Sequence, residues 1–311
     1  MSAGPAGSLT DRETLAAAYR YCRAVAAAHG RTYFLATRLL APDRRVAVHA
    51  LYAFARTVDD IVDHATPDAA ARLDDIETRL RARLRDTAHP DPDDPVLSAT
   101  ADTVARFGVP PAHLWTFLAS MRMDVPGTTR FRNRYATMTE LREYMSGSAA
   151  AIGLQLLPIL GTVVPTADAE PAATALGEAF QLTNFLRDLA EDLDRDRVYL
   201  PLDELAAFGV DPGLLTHCRR TGHTDPRVRR ALVHLIATNR ALYRFAIPGI
   251  DLLNPRVRPA IRTAAILYAE ILDEIEKSGY AVFQHRATVP RHRRYRVAAT
   301  QFATATLRSA R

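Results

Sequence analysis

The stretch FARTVDDIVDH, residues 54–64, sets three aspartates and an arginine into a run that otherwise reads as an apolar helix. Residues four, seven and eleven positions apart share one face of a helix. That face carries Tyr52, Arg56, Asp59 and Asp63, among Leu51, Phe54, Ala55, Ile61 and Val62. A surface helix shows the reverse, a narrow apolar stripe on a polar body. The pattern returns in QLTNFLRDLAEDLDRDRVYLP, residues 181–201. There Gln181, Asn184, Asp188 and Asp192 make the stripe, among Phe180, Leu182, Phe185, Leu186 and Leu189.

Around these two stretches nearly everything reads as helix. Apolar periodicity predicts helices over residues 11–29, 41–65, 68–87, 96–107, 111–123, 139–160, 169–193, 226–245 and 255–280, the first capped near Thr10. No period-2 run bounded by turn residues signals a strand. Breaks fall at HPDPDDP (89–95), VPTADAEP (164–171), FGVDPG (208–213) and IPGIDLLNP (247–255), all too short for an inter-domain linker. The expectation is an all-α fold in one domain over residues 11–290, after a disordered lead-in at 1–10 and before a basic tail at 291–311. The run from Tyr144 to Ala167 has no charge and is long enough to span a bilayer. Its Gln155, Pro158 and small residues, without a flanking basic cluster, favour a buried helix with open space beside it.

Composition narrows the chemistry. Of 40 basic residues only Lys277 is a lysine. It lies in neither a P-loop nor a Schiff-base setting, so anions are held by arginine forks, metal ions or backbone N–H groups. The two cysteines, Cys22 and Cys218, fit no CxxC or zinc spacing and point to a reducing compartment. No signal pattern opens the chain, and a cytoplasmic location is expected. The basic segment RHRRYR (291–296) and a pI near 9.4 invite a nucleic-acid reading. No aromatic–basic motif or helix-turn-helix accompanies them, so no nucleic-acid partner is expected. A di-metal oxidase bundle needs Glu-x-x-His on two helices, and that tetrad is missing.

A buried, unpaired carboxylate costs several kcal/mol or takes up a proton. Four together stay ionised if divalent cations bridge them. Oxygen-only donors favour Mg²⁺, with Mn²⁺ the alternative, and Mg²⁺ keeps coordination positions for phosphate oxygens. Acidic i,i+4 pairs are common on solvated faces, but two on apolar helices, each with an arginine within a turn, form a site. Two facing DxxxD pairs would hold metal, and the metal a diphosphate, with Arg56 and Arg187 neutralising the remaining charge.

At this point the sequence resembles the squalene/phytoene synthase family of head-to-head prenyl synthases, over about residues 15–290. The family's two acidic motifs stand here as RTVDDIVD (56–63) and NFLRDLAEDLDRDRVYLP (184–201). HGRTYFLATRLLAPDRRVAVHALYAFAR (29–56) is similar to its first active-site segment, and AEILDEIEKSGYAVFQHRATVP (269–290) to its C-terminal one. Within the family the sequence is most similar to bacterial phytoene synthases. The resemblance implies a class I isoprenoid synthase bundle around a central apolar cavity. It implies Asp59, Asp63, Asp188 and Asp192 as Mg²⁺ ligands, with Gln181 and Asn184 supporting the second pair. Arg56 and Arg187 would contact diphosphate, and Tyr33, Tyr52 and Tyr144 would line the reacting end. His29, Tyr268 and Arg286 join the expected substrate-binding set. The segment after Tyr144 departs from the family's usual Val-Ala-Gly, reading Ser148, Ala149 and Ala150. Chain-length preference is therefore expected at Ser146, Ser148, Ala150, Leu154 and Leu157, with bulk at Ala150 shortening the accepted chain.

The implied reaction joins two geranylgeranyl diphosphates through a cyclopropyl diphosphate to phytoene, in carotenoid biosynthesis, without NADPH. A C30 synthase or a single-substrate class I terpene cyclase would use the same aspartates. Prenyl diphosphate is the expected partner. Peripheral membrane contact through the basic tail is expected too, and the sequence sets no oligomeric state.

Overall fold

Proline and aspartate set many of the helix starts. The computed structural model describes residues 9–64 and 66–309. Helices α1 (Leu9–His29), α2 (Arg31–Thr37) and α3 (Pro42–Asp63) are followed by α4 (Ala69–Arg83), α5 (Pro95–Phe107), α6 (Pro111–Met121) and α7 (Met138–Met145). After a π-helical turn at Ser146–Ala150 come α8 (Ala151–Leu160), α9 (Thr166–Arg187), α10 (Leu189–Asp194), α11 (Leu202–Ala206) and α12 (Pro212–Thr221). Then α13 (Pro226–Ala246) leads through a 3₁₀ turn, Ile247–Leu252, into α14 (Arg258–Lys277) and α15 (Arg291–Ser309). Helices α3, α5, α6, α12 and α13 begin with proline in the first turn, where its missing N–H costs nothing. Asp94, Asp211 and Asp225 cap three of them, accepting from Leu97, Leu214 and Arg227 N–H groups.

Helix α9 runs through the centre, packed by α8, the π turn, α13 and α14, while α3 packs against α1 and α5. Most of the buried apolar side chains form one core, and a smaller one gathers Leu40, Leu157, Leu160, Ile250, Leu253 and Val257 at the far end of the bundle. Among the described residues there is no strand, only two isolated bridges, Arg134 to Val198 and Thr162 to Leu253.

Several boundaries differ from the sequence expectation. Residues 1–8 of the expected lead-in lie outside the described residues, and Leu9 and Thr10 already belong to α1. The expected helix at 139–160 contains the π turn. The one at 169–193 breaks at Asp188, whose φ of −99° and ψ of 12° leave the helical region. DPG at 211–213 starts α12 as cap and first turn, where the sequence alone suggested only a break. The basic segment after Pro290 is helical and packs on α14, with Arg293 bonded to Glu270. Among the described residues no helix is long and apolar enough to cross a membrane, and within the uncharged run Ala149, Ala151, Leu157, Ile159 and Leu160 are buried in the bundle.

Candidate active site

The first acidic pair stands on the last two turns of α3. The second straddles the break between α9 and α10, where the Asp192 N–H still donates to the Asp188 carbonyl at 2.9 Å. That bond keeps the two carboxylates one turn apart although the helix is interrupted.

Charge is shared unevenly among them. Asp188 receives two arginine forks. Arg187 donates to its two oxygens at 2.6 and 2.5 Å, and Arg286, from the loop after α14, at 2.7 and 2.9 Å. Burial alone would raise the Asp188 pKa, but these bonds hold it below the usual carboxylate range. Asp192 has no such fork; burial, then Asp188, pushes it up to about 8. Burial, then Asp63, pushes Asp59 up to about 7. Arg56 pairs with Asp60. Asp63 is held by Arg197 at 3.3 Å and Arg195 at 3.7 Å.

Asp188 therefore takes two arginines, while the carboxylates of Asp59 and Asp192 have no arginine hydrogen bond among the described residues. One turn before Asp188, Asn184 donates to Gln181 Oε1 at 3.3 Å, which leaves its own Oδ1 buried and unpartnered. A half-satisfied amide oxygen beside carboxylates is a donor set for a hard divalent cation, and the residues fit one. Among the described residues no three acidic or imidazole side chains converge on one point.

Behind the pairs lies a buried network that the sequence reading did not single out. Asp124, 2% exposed, accepts from Tyr144 Oη at 2.6 Å and Tyr199 Oη at 2.8 Å. The Arg197 guanidinium donates to the Val62 and Asp124 carbonyls at 3.0 and 3.1 Å. Asp124 is a lone aspartate in MRMDVPG, without a periodic partner. Arg197 and Tyr199 lie inside the second motif, and Tyr144 was expected at the reacting end, so of this network Asp124 alone gave no sequence signal.

From this polar head an apolar cavity of about 300 Å³ runs between α3, α8, α9 and the 3₁₀ turn, within the size range of ligand pockets. Tyr52, Gln181 and Asn184 line the head end; Leu160, Ile250 and Ala260 line the far end. Aromatic rings cluster near the head: Tyr33 to Tyr268 at 4.8 Å, Phe180 to Tyr268 at 4.6 Å and Tyr33 to Tyr52 at 6.3 Å between centroids. Gly30 makes this packing possible, since a Cβ there would lie 2.8 Å from the Tyr52 ring.

None of the four aspartates lines the cavity, but they border its polar end: Asp59 acts on Tyr52, and Arg187, the partner of Asp188, on Tyr33. The squalene/phytoene synthase family profile matches residues 26–293. The chain belongs to this family. It is 36% identical over 285 residues to the phytoene synthase of Arthrospira platensis, covering 88% of each chain. It is 37% identical over 284 residues to phytoene synthase 3, chloroplastic, of Zea mays, covering 89% of this chain and 63% of that longer one. Its structure superposes on a dehydrosqualene synthase solved with ligand at a TM-score of 0.83, with 28% identity, covering 96% of this chain and 99% of the other.

The structure gathers most of the residues expected from the family motifs. Tyr33, Tyr52, Gln181 and Asn184 line the cavity, with Tyr268 buried behind Tyr33. Arg187 and Arg286 meet on Asp188, and Arg56 stands beside Asp59 on α3. Two residues lie elsewhere. His29 is exposed at the end of α1 and does not line the cavity, because α1 ends there and the chain turns inward only at Gly30. Tyr144 points into the Asp124 network instead of the cavity. The chain-length positions also divide. Ser148 and Leu157 line the cavity, whereas Ser146, Ala150 and Leu154 do not. The lining face is Ser148, Ala149, Ile152, Gly153, Leu156, Leu157 and Leu160, two rows at helical i,i+4 spacing, and Ser146, Ala150 and Leu154 form the next row round the helix.

Proposed function

We propose that this prenyltransferase-type enzyme condenses two geranylgeranyl diphosphates head to head to phytoene, with Mg²⁺ and without NADPH. The observation that supports the reading is an apolar cavity lined by Tyr52, Gln181 and Asn184, each on a helix that carries or ends at one of the two aspartate pairs and within two turns of it. Asp59 and Asp63 on one helix, and Asp188 and Asp192 across the α9–α10 break, are the proposed ligands, with the buried Asn184 Oδ1, unpartnered among the described residues, as a further oxygen donor. When bound, the divalent cation offsets diphosphate charge and lowers the cost of ionisation; Mn²⁺ has the same preference for oxygen donors.

The chain's own residues do the rest. Arg187 and Arg286 present forks whose geometry suits phosphate oxygens as well as Asp188. As the first C1–O bond breaks, the allylic cation forms beside Tyr33, Tyr52 and Phe180, whose ring faces stabilise positive charge. The apolar wall keeps water from that cation until C1 bonds to the double bond of the second prenyl chain. Loss of one proton closes the cyclopropane. Ionisation of the second diphosphate, rearrangement and loss of a second proton give the C40 hydrocarbon. Each half releases one diphosphate and one proton. Burial raises the pKa of Tyr33 well above that of a free phenol. Tyr33 therefore stays neutral and is a poor base, so departed diphosphate is the better proton acceptor.

The test is a product assay with C15 and C20 allylic diphosphates offered separately, with and without Mg²⁺ and NADPH. A C40 hydrocarbon from the C20 substrate, requiring Mg²⁺ but not NADPH, is expected. A C30 product or a cyclic monomeric terpene would overturn the substrate assignment. Asp59→Ala serves as the control: turnover falls on the order of 10³-fold while far-UV circular dichroism is unchanged. Loss of helical signal instead would mark Asp59 as part of a structural ion network.

A further inference from the structure

The far end of the cavity is closed by a thin wall. Ala246, Gly249 and Ile250 line the cavity from the end of α13 and the 3₁₀ turn, and Ala172 lines it from α9. Gly249 and Ala172 touch so closely that a Cβ on Gly249 would sit 2.1 Å from the Ala172 Cβ. The residues between these lining positions face outward. Phe245 is 63% exposed and Ile247 39%, with Pro248 exposed beside them. On the adjoining loop Val163 is 55% exposed, tied to the same turn by its N–H donating to the Leu252 carbonyl at 2.8 Å. One short segment thus has an apolar cavity on its inner side and bare apolar side chains on its outer side. Exposed hydrophobic residues scattered singly need no explanation, but a group of them marks an interaction surface.

The charges around the group select the partner. Arg244 and Arg256 are exposed and have no ion pair among the described residues. Arg258 and Arg262 share a single carboxylate, Asp251. Asp168 and Glu170, in the first turns of α9, form the acidic edge of the face. The four arginines of this face outnumber its acids, Asp251, Asp168 and Glu170, by one, and two of them are unpaired among the described residues. Exposed apolar side chains beside such free arginines suit an anionic lipid surface: arginines meet headgroups while apolar side chains enter the headgroup–acyl boundary.

We propose that this end of the bundle docks on an anionic lipid bilayer and turns the far wall of the cavity toward the acyl chains. The polar head lies at the opposite end of α9. Asp188 is nineteen residues beyond Ala169, about 28 Å along the helix axis, so diphosphate stays in water while the hydrocarbon end approaches lipid. The nature of that hydrocarbon rests on the function proposed above; the docking does not. The face is distinct from α15, where Arg293 is engaged by Glu270.

Vesicle co-sedimentation of the full chain tests this, using phosphatidylcholine vesicles with and without phosphatidylglycerol and no substrate. Binding is expected only with phosphatidylglycerol, weakening as salt rises. Phe245→Glu/Ile247→Glu and, separately, Arg244→Glu/Arg256→Glu are each expected to weaken it roughly tenfold or more, whereas Arg291→Glu/Arg294→Glu in α15 leaves it within about twofold. Phe245→Ser/Ile247→Ser, with a melting curve matching the wild type, guards against a folding defect. Three results would overturn the proposal: no vesicle binding by the wild type, loss of binding only in the α15 variant, or a dimer that Phe245→Glu dissociates in place of any lipid binding. Turnover in detergent separates the two readings. If C40 product forms there but vesicles do not bind, the docking fails alone. Vesicle binding without any prenyl product removes only the function.

Discussion

Arg197 Nη1 lies 3.3 Å from Asp63 Oδ1, joining residues 134 positions apart. The same guanidinium donates to the carbonyls of Val62 and Asp124, so one side chain ties the end of α3, the loop after α6 and the segment after α10 together. Arg197 is buried to 7% side-chain exposure. It holds the first acidic pair in position while leaving Asp59 free of any arginine hydrogen bond of its own.

Removing that guanidinium leaves two buried carbonyls without their partner and Asp63 with Arg195 alone, at 3.7 Å. Arg197→Met is expected to cost about 3 kcal/mol and to lower Tm on the order of 5 °C in thermal unfolding. Arg197→Lys recovers only part, since a point charge cannot reach three acceptors. A variant as stable as the wild type would mean that the network does not hold α3 in place.

Arg286 behaves differently because its side chain is half exposed and Asp188 retains Arg187. Arg286→Ala is expected to change stability by less than about 1 kcal/mol but to lower kcat/KM on the order of 10²-fold. Arg286→Lys should not restore it, because the fork is lost. Unchanged kinetics on a diphosphate substrate would remove Arg286 from the binding set.

His49 gives a pH signature away from the acidic site. It is 1% exposed, stacks on Phe34 at 5.3 Å, and its Nε2 lies 2.9 Å from Thr37 Oγ1 while Nδ1 has no partner. Burial, then Arg23 and Arg45, pushes its pKa down to about 4. The unfolded chain protonates near the usual histidine value of about 6.5 and the folded chain only near 4, so unfolding takes up a proton between them. This contribution to stability is complete above about pH 6.5 and is lost as pH falls toward 4, on the order of 2 kcal/mol. Denaturant titrations at several pH values should show a shallower acid slope in His49→Gln than in the wild type. Parallel slopes would show that His49 titrates normally.

Chain length should follow the helix face that borders the cavity. Ser148 borders the cavity, and its hydroxyl is buried without a partner. Ser148→Phe is expected to shift use from C20 toward C15 substrate by roughly tenfold, read as the ratio of products. Ala150, buried outside the cavity, should instead respond to bulk with overpacking, about 1–3 kcal/mol of lost stability and an unchanged product. The reverse pattern would move the wall to Ala150.

Much of this protein is decided by local chemistry that sequence alone displays. Helix content and many helix starts follow from apolar period, proline and aspartate caps. The two aspartate pairs announce themselves because carboxylates at helical spacing among core residues need a positive partner. What the sequence could not decide was where each side chain points once the helices pack. Ser148 borders the cavity while Ala150 sits one row round the helix, the end of α1 left His29 in solvent, and Tyr144 turned to Asp124. Asp124 and Arg197 became part of the site only through contacts between segments far apart in the chain. Such contacts depend on how α3, α9 and the loop after α6 pack together, and no periodicity within one segment encodes the position of another.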